Sequence, residues 1–163
     1  MILREPAHSL DPRVRTYWLV EGLIGTAVVA VLVIAGTVIA ALAEAGTVAW
    51  LIGILGGLAV LGAAALAVGV PRLDYRHYRY EVTELGLYVA KGWLWQRHQV
   101  VPHARVQTVE TTVGPLMRAF GLVSVEITTA SSGGGISIPG LAPDVADRLV
   151  QELALRAGIE EGT

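Results

Sequence analysis

A long stretch almost free of charge dominates the hydrophobic pattern of this chain. Residues 22–70 carry one charged side chain, Glu44, and no Lys, Arg or His. A helix that crosses about 30 Å of hydrocarbon needs about 20 apolar residues. The residues on either side of Glu44 supply that length twice, so the pattern predicts a transmembrane hairpin over residues 17–70, with helices at about 17–43 and 47–70.

The flanks of the two spans predict their orientation. Basic residues precede the first span and follow the second, whereas the connection around Glu44 has none. By the positive-inside rule, we expect both termini in the cytoplasm and the hairpin in the plasma membrane, with residues 1–16 as a cytoplasmic segment. A cleavable signal peptide is disfavoured, because the first apolar run exceeds the roughly 7 to 15 residues of a signal core. The side chains expected at the membrane interface are Tyr17, Trp18, Trp50, Arg72, Arg76, Arg79, Trp93 and Trp95.

Small residues recur along the second predicted helix. Ala49, Gly53 and Gly57 are spaced four apart, which places them on one face of a helix. Small residues let transmembrane helices approach closely. We expect this face to pack the hairpin against itself, and homo-oligomerisation is the alternative.

After Pro71 the hydrophobic pattern changes from continuous to alternating. Residues 78–82 and 87–90 predict a β-hairpin, and a third strand is expected to begin near 93–95 and close at 99–101. Further strands are predicted at 106–113, 123–128 and 136–138, with Pro139 expected to stop the pairing of the last one.

The end of the chain predicts an amphipathic helix. Pro143 suits its first position and Gly158 its end, while Val145, Leu149 and Leu153 form an apolar stripe. Antiparallel strands followed by one such helix indicate an α+β domain over residues 71–163.

Composition narrows the chemistry. The charged fraction is 16%, the formal net charge is −2 and there is no cysteine. A balanced charge disfavours nucleic-acid binding, and the lack of thiols excludes disulfides and thiolate metal sites. We expect no metal, no cofactor and no catalysis, because Asp74 and His77 have no third ligand at metal-like spacing and no nucleophile or phosphate-loop motif is present.

Four segments carry a resemblance to a known family. They are VPHARVQTV at 101–109, GPLMRAFGL at 114–122, TTA at 128–130 and IPGL at 138–141. With the helical hairpin and the order of strands, they resemble the bacterial pleckstrin-homology-like (PH-like) membrane proteins of the YdbS type. The resemblance implies a transmembrane hairpin followed by a PH-like antiparallel β-sandwich or barrel that a C-terminal α-helix caps. It implies binding or scaffolding rather than a particular ligand.

Three polar residues within these segments are candidates for a binding site. Arg105 and Gln107 lie two apart on a predicted strand and so point the same way, and Arg118 follows a Gly-Pro turn. Together they are able to hold a phosphate or a carboxylate. The alternative, which we favour, is that they brace the loop 114–122 through its backbone carbonyls.

The membrane-proximal part of the domain is locally basic. Its basic residues and histidines are Arg72, Arg76, His77, Arg79, Lys91, Arg97, His98 and His103. Such a cluster attracts anionic headgroups by about 1 kcal/mol per charge, although an ordinary positive-inside bias explains it equally well. The histidines are expected at the surface, and Trp95 is expected to share a strand face with Trp93 and Arg97, with at least one tryptophan in the core.

Three classes of function remain open, of which a membrane enzyme is the remote third. The first is a non-catalytic scaffold that presents its cytoplasmic PH-like domain to a protein partner, which includes another copy of itself, at a sheet edge or beside the C-terminal helix. The alternative is binding of anionic phospholipid headgroups in membrane or envelope homeostasis. The expected partners are therefore the bilayer, a protein and, in the alternative, anionic lipid, with no nucleic acid.

Overall fold

The structure is a computed structural model that describes residues 6–92, 94–129 and 135–158. It divides into two compact units. The hairpin unit is Trp18–Arg72, and the domain combines the described residues up to Tyr17 with those from Leu73 onward. The helices are α1 (Arg13–Leu42), α2 (Gly46–His77), α3 (Pro115–Ala119) and α4 (Pro143–Ala157). The strands are β1 (His8–Ser9), β2 (Arg79–Val82), β3 (Gly86–Lys91), β4 (Arg97–Pro102), β5 (Val106–Thr112), β6 (Val123–Thr129) and β7 (Ile136–Leu141).

The hairpin unit has the two long apolar helices that the sequence predicts. Both α1 and α2 are long and apolar enough to cross a membrane. Their large apolar side chains, among them Leu32, Ile39 and Leu58, are each more than 60% exposed. Apolar surface on this scale requires a lipid environment.

Small residues form the contact between the two helices. Gly22 lies against Ala67, Gly56 against Val33, and Gly53 near Thr37, as in an antiparallel pair. The predicted stripe is only partly at this contact. No atom lies within 4 Å of the position that a side chain on Gly57 would take, because that residue is rotated about 100° around the helix from Gly56.

Both helices are longer than predicted. The first begins at Arg13, and the second continues through Pro71 to His77. The helix is continuous through Pro71, although proline lacks the backbone donor of an interior helix position. The last turn of α2 therefore carries Arg76 and His77 into the domain.

The domain consists of two antiparallel sheets and a capping helix, as the resemblance implies. The first sheet has the order β1-β2-β3-β4 and the second the order β5-β6-β7. The fully buried side chains include Leu87 and Val89 of the first sheet, Ile127 and Ile138 of the second, and Leu153 of α4. The helix α4 spans Pro143–Ala157, and Gly158 follows it with a φ of 67°, so the predicted start and stop signals are confirmed.

The start of the chain belongs to the domain. His8 and Ser9 pair with Tyr80 and Arg79 as β1. Leu10 and Val14 are 1% and 0% exposed, so they are core residues rather than part of a separate segment. The sequence did not indicate this, because a two-residue strand leaves no alternation to detect.

One glycine makes room for this segment. Gly140 has a φ of 67°, and a side chain there would overlap the side chain of Val14. The amide of Asp11 donates to the carbonyl of Gly140 at 3.1 Å, which ties the segment to β7. Only glycine meets both the conformation and the close approach.

Two predicted strand boundaries were wrong. Pairing of β7 continues past Pro139 to Leu141, because a register shift between the pairs of Val123 and Val125 gives the proline a place at a bulge of an edge strand. The strand β4 begins only at Arg97, so Trp95 does not share a strand face with Arg97. Trp95 is 78% exposed, and Trp93 lies outside the described residues.

Candidate functional site

The three residues proposed from the family segments do not form one site. Arg105 ends a 3-10 turn before β5, Gln107 lies in β5, and Arg118 lies in α3 beyond the other end of that strand. The five residue steps from Gln107 to Thr112 span about 16 Å at about 3.3 Å each. The prediction that Arg105 and Gln107 share a strand face was wrong, because Arg105 precedes the strand. All three side chains are exposed.

The membrane-proximal basic residues, in contrast, converge. We call the cavity they surround the basic pocket, and its volume is about 180 Å³. It is lined by Pro6, Arg76, His77, Arg79, Ala90, Lys91, Gly92, Gln96 and His98. Five of these nine residues are members of the predicted basic cluster.

Three elements bring these side chains together. Arg76 and His77 occupy the last turn of α2. Within the first sheet, Arg79 of β2 is paired with Ala90 of β3, and Ala90 with His98 of β4. Paired residues point to the same face of a sheet, so the small Ala90 lies between two longer side chains. Its single methyl group leaves the space that forms the cavity.

A tight turn completes the rim of the pocket. Gly92 has a φ of 96°, and a side chain there would overlap the carbonyl oxygen of Trp95. Glycine adopts this conformation without steric cost. The turn returns the chain after Lys91 and places Gln96 at the cavity. The sequence marked Gly92 as a break, but nothing in it pointed to Gln96 or Ala90 as lining residues.

Both histidines of the basic pocket have one ring nitrogen already bonded. His77 Nδ1 donates to the carbonyl oxygen of Leu73 at 2.7 Å. His98 Nδ1 lies 2.8 Å from the hydroxyl of Tyr88, whose ring stacks on it at 6.0 Å. These bonds leave Nε2 of each ring available to a ligand.

No carboxylate lines the basic pocket. Asp74, one turn earlier on α2, is not among the lining residues but interacts electrostatically with His77. In the described part of the chain, the charged groups of Arg76, Arg79 and Lys91 have no ion-pair partner. Elsewhere in the domain arginines are paired, as in Arg148–Asp144 at 2.9 Å. Arg79 and Lys91 are half-buried, whereas Arg76 is exposed. Partly buried cations without a partner favour binding of an anion.

Other members of the predicted cluster lie outside the basic pocket. Arg72 donates to the carbonyl oxygen of Val68 at 3.2 Å, and Arg97 is exposed at the start of β4. His103 is buried and its Nε2 donates to the carbonyl oxygen of Thr83 at 2.9 Å. The prediction of a surface histidine was therefore wrong for His103, because the 3-10 turn after β4 directs it inward.

The aromatic residues predicted at the membrane interface differ in their surroundings. Tyr17 is buried in the domain, with its ring edge-on to Phe120 at 6.2 Å, so the domain core rather than a headgroup layer surrounds it. Trp50 is 75% exposed on α2 and Trp18 is half-buried on α1. The interface role of these two tryptophans, and of Trp95, stays a prediction.

A second cavity lies between the first sheet and α4. We call it the helix groove, and its volume is about 400 Å³. It is lined by His8, Tyr80, Val82, Val145, Arg148, Leu149 and Glu152. Its charged residues are paired within α4, Arg148 with Asp144 and Glu152 with Arg156. The groove therefore has an apolar floor and a neutralised rim.

Among the described residues, no group of three His, Cys, Asp or Glu is placed to hold a metal ion.

Comparisons with known proteins agree with this architecture. The family model for a bacterial PH domain matches residues 19–157. The chain is 30% identical over 157 residues to the UPF0699 transmembrane protein YdbS of Bacillus subtilis (strain 168), and the match covers 96% of each chain. No solved structure matches.

Proposed function

Because this chain belongs to the bacterial PH domain family and is a membrane protein with two transmembrane helices, we propose that its domain binds anionic phospholipid headgroups in the basic pocket. The protein acts as a membrane-anchored binding module without catalytic activity. The observation that carries the proposal is the convergence of Arg76, Arg79 and Lys91 on one cavity with no carboxylate in its lining.

The place of the basic pocket in the chain supports this ligand. Arg76 and His77 belong to the helix that leaves the bilayer, so the site begins where headgroups are abundant. We propose that this membrane is the plasma membrane and that both termini are cytoplasmic. The inner leaflet then supplies anionic lipid at high local concentration, and each nearby cation contributes about 1 kcal/mol of attraction.

Short-chain lipids test the proposal with the full chain in a neutral detergent. Dihexanoyl phosphatidylglycerol is titrated below its micelle concentration and compared with the zwitterionic dihexanoyl phosphatidylcholine by calorimetry. We expect the anionic lipid to bind more tightly, and its affinity to fall as salt is raised. Equal affinity for the two lipids contradicts the proposal.

Matched charge removals identify the site. The double variant Arg79→Gln, Lys91→Gln removes two charges from the basic pocket, and Arg105→Gln, Arg118→Gln removes two exposed charges elsewhere. Loss of charge-assisted hydrogen bonds predicts at least a roughly tenfold weaker affinity in the first variant. The second should retain wild-type affinity. If both weaken binding to the same extent, the attraction is diffuse and the basic pocket is not the site.

The helix groove supports a second candidate function, presentation of the domain to another copy of this chain. Its apolar floor, with Val82, Val145 and Leu149, is the kind of surface that a protein partner covers. The chain has no cysteine, so single variants report contacts cleanly. Arg148→Cys at the groove should form crosslinked dimers in membranes, and Gln151→Cys on the exposed side of α4 should not. If neither variant forms crosslinked dimers, this candidate function is excluded.

A further inference from the structure

The ligand class of the basic pocket follows from its charge and its size. We infer that it selects a phosphomonoester, the terminal phosphate of a lipid such as phosphatidic acid, over a phosphodiester such as phosphatidylglycerol. This inference rests on the proposed function, because it specifies the ligand of the same pocket.

The charge of the lining matches a dianion better than a monoanion. Arg76, Arg79 and Lys91 are basic, and no carboxylate is among the lining residues. A phosphodiester brings one negative charge, whereas a phosphomonoester with a second pKa near 6 brings nearly two at pH 7.5. Since Arg79 and Lys91 are half-buried, the charge that the ligand leaves uncompensated is poorly solvated and weakens binding.

The number of donors leads to the same conclusion. Two guanidinium groups, one ammonium group, the amide of Gln96 and the free Nε2 atoms of His77 and His98 surround the cavity. A phosphodiester offers two non-bridging oxygens, and a phosphomonoester offers three. One arginine guanidinium group binds two such oxygens at once. The third oxygen of a phosphomonoester is then free to accept a hydrogen bond from a second basic group.

The size of the cavity restricts what accompanies the phosphate. A volume of about 180 Å³ equals that of about six water molecules, which suits a phosphate group of five heavy atoms. A phosphomonoester has a single substituent, which leaves through the mouth of the cavity. A phosphodiester has a second substituent on the same phosphorus, and its glycerol must also fit at the mouth or against the wall beside Ala90.

Four soluble ligands test the inference with the full chain in neutral detergent at pH 7.5. They are dihexanoyl phosphatidic acid, dihexanoyl phosphatidylglycerol, dihexanoyl phosphatidylcholine and glycerol 3-phosphate. We expect phosphatidic acid to bind at least about tenfold more tightly than phosphatidylglycerol. Glycerol 3-phosphate distinguishes the source of the phosphate. If glycerol 3-phosphate binds more weakly than phosphatidic acid, the natural ligand is a lipid. If the two bind equally, the ligand is a soluble phosphomonoester, which supports the same ligand class.

Two variants test the geometry without removing charge. Ala90→Leu fills the cavity and should abolish the preference for phosphatidic acid, whereas Ala104→Leu, at an exposed position of the 3-10 turn, should keep it. Arg79→Lys retains the charge at this half-buried position but removes the fork. It should reduce the preference severalfold and leave phosphatidylglycerol binding nearly unchanged. The melting temperature of each variant confirms that it is folded.

The outcomes separate the two proposals. Equal affinity for phosphatidic acid and phosphatidylglycerol, both above phosphatidylcholine, overturns the inference and leaves the proposed function standing. Equal affinity for all three lipids overturns both. A preference for phosphatidic acid that persists unchanged in a folded Ala90→Leu variant also overturns the inference, because the pocket is then not where the phosphate binds.

Discussion

At the scale of single residues, Tyr78 connects the two sheets of the domain. Its ring is buried where the chain enters β2, and its hydroxyl donates to the carbonyl oxygen of Ser137 in β7 at 2.6 Å. Burial raises the pKa of this hydroxyl well above its ordinary value near 10. Burial also raises the pKa of Tyr80, against a smaller opposing effect of Arg148. The hydroxyl of Tyr78 therefore stays protonated in the folded domain at a pH where tyrosine in the unfolded chain ionises.

The raised pKa predicts how stability depends on pH. Tyrosine in the unfolded chain ionises above about pH 10 while Tyr78 stays neutral, so its contribution is complete below that pH and is lost as pH rises further. We expect the domain to melt at lower temperature above pH 10, and Tyr78→Phe to make this decrease shallower.

The same variant should cost about 1 kcal/mol at pH 7, because it removes one hydrogen bond. Circular dichroism melting of the full chain in detergent at several pH values measures both effects. Tyr75→Phe is the control, since the hydroxyl of Tyr75 has no hydrogen bond in the described part of the chain. If Tyr78→Phe leaves the pH dependence unchanged, the buried hydroxyl is not its cause.

At the scale of elements, the segment before the first membrane span belongs to the sheet and the core of the domain. It contributes β1 and the buried side chains of Leu10 and Val14. A fragment that starts at residue 72 therefore lacks one edge of the first sheet and part of the core, and measurements on the domain require the full chain.

Truncation of one core side chain in this segment measures its contribution. Leu10→Ala should destabilise the domain by about 2 to 4 kcal/mol, as expected for a fully buried leucine. Leu155→Ala removes the same atoms from a side chain that is 83% exposed, and should change stability by less than about 0.5 kcal/mol. Chemical unfolding of the full chain in detergent compares them. Similar small effects in both variants would show that the segment is not needed for the core.

Adjacent glycines in α2 provide a matched test of hairpin packing. Gly56 lies against Val33, whereas Gly57 has open space around it. Gly56→Leu should separate the helices, and Gly57→Leu should not. The readout is disulfide formation between Gly36→Cys and Ile52→Cys, which are neighbours across the hairpin and have no native cysteine to compete with them. Equal crosslinking in the two leucine variants contradicts this arrangement.

At the scale of the whole molecule, the membrane hairpin is an insertion within the domain. The chain leaves the domain after Tyr17 and returns at Leu73, between two strands that pair with each other. Strands that pair must be on the same side of a bilayer, so the N-terminal segment and the rest of the domain share one compartment. Two spans meet this requirement, because the second span returns the chain to the side on which the first began. The basic residues that flank the spans favour the cytoplasm as that side.

Accessibility to an impermeant maleimide tests the orientation in intact cells. Glu44→Cys, in the turn between the spans, should be labelled from outside. Arg105→Cys, exposed on the domain, should be labelled only after the cells are opened. The reverse pattern would place the domain outside the cell and would overturn the proposal of a site for cytoplasmic-leaflet lipid.

Some features of the candidate site follow from residue types alone. The excess of basic residues after the second span is visible in the sequence, and it includes Arg76, Arg79 and Lys91. Their convergence is not visible, because it depends on the pairing of Arg79 with Ala90 and of Ala90 with His98. For the same reason the sequence did not reveal that Arg118 lies beyond the far end of β5 from Arg105.

The elements whose signals are local follow from the residue pattern alone. An uncharged run of membrane length, alternation along the strands, and an apolar stripe between Pro143 and Gly158 each depend on neighbours within a few residues. Three features arise only when the chain folds, namely the pairing of His8 with Tyr80, the packing of Val14 on Gly140 and the cavity at Ala90 among the cations. These features join residues that are distant along the chain, and no local pattern records such contacts.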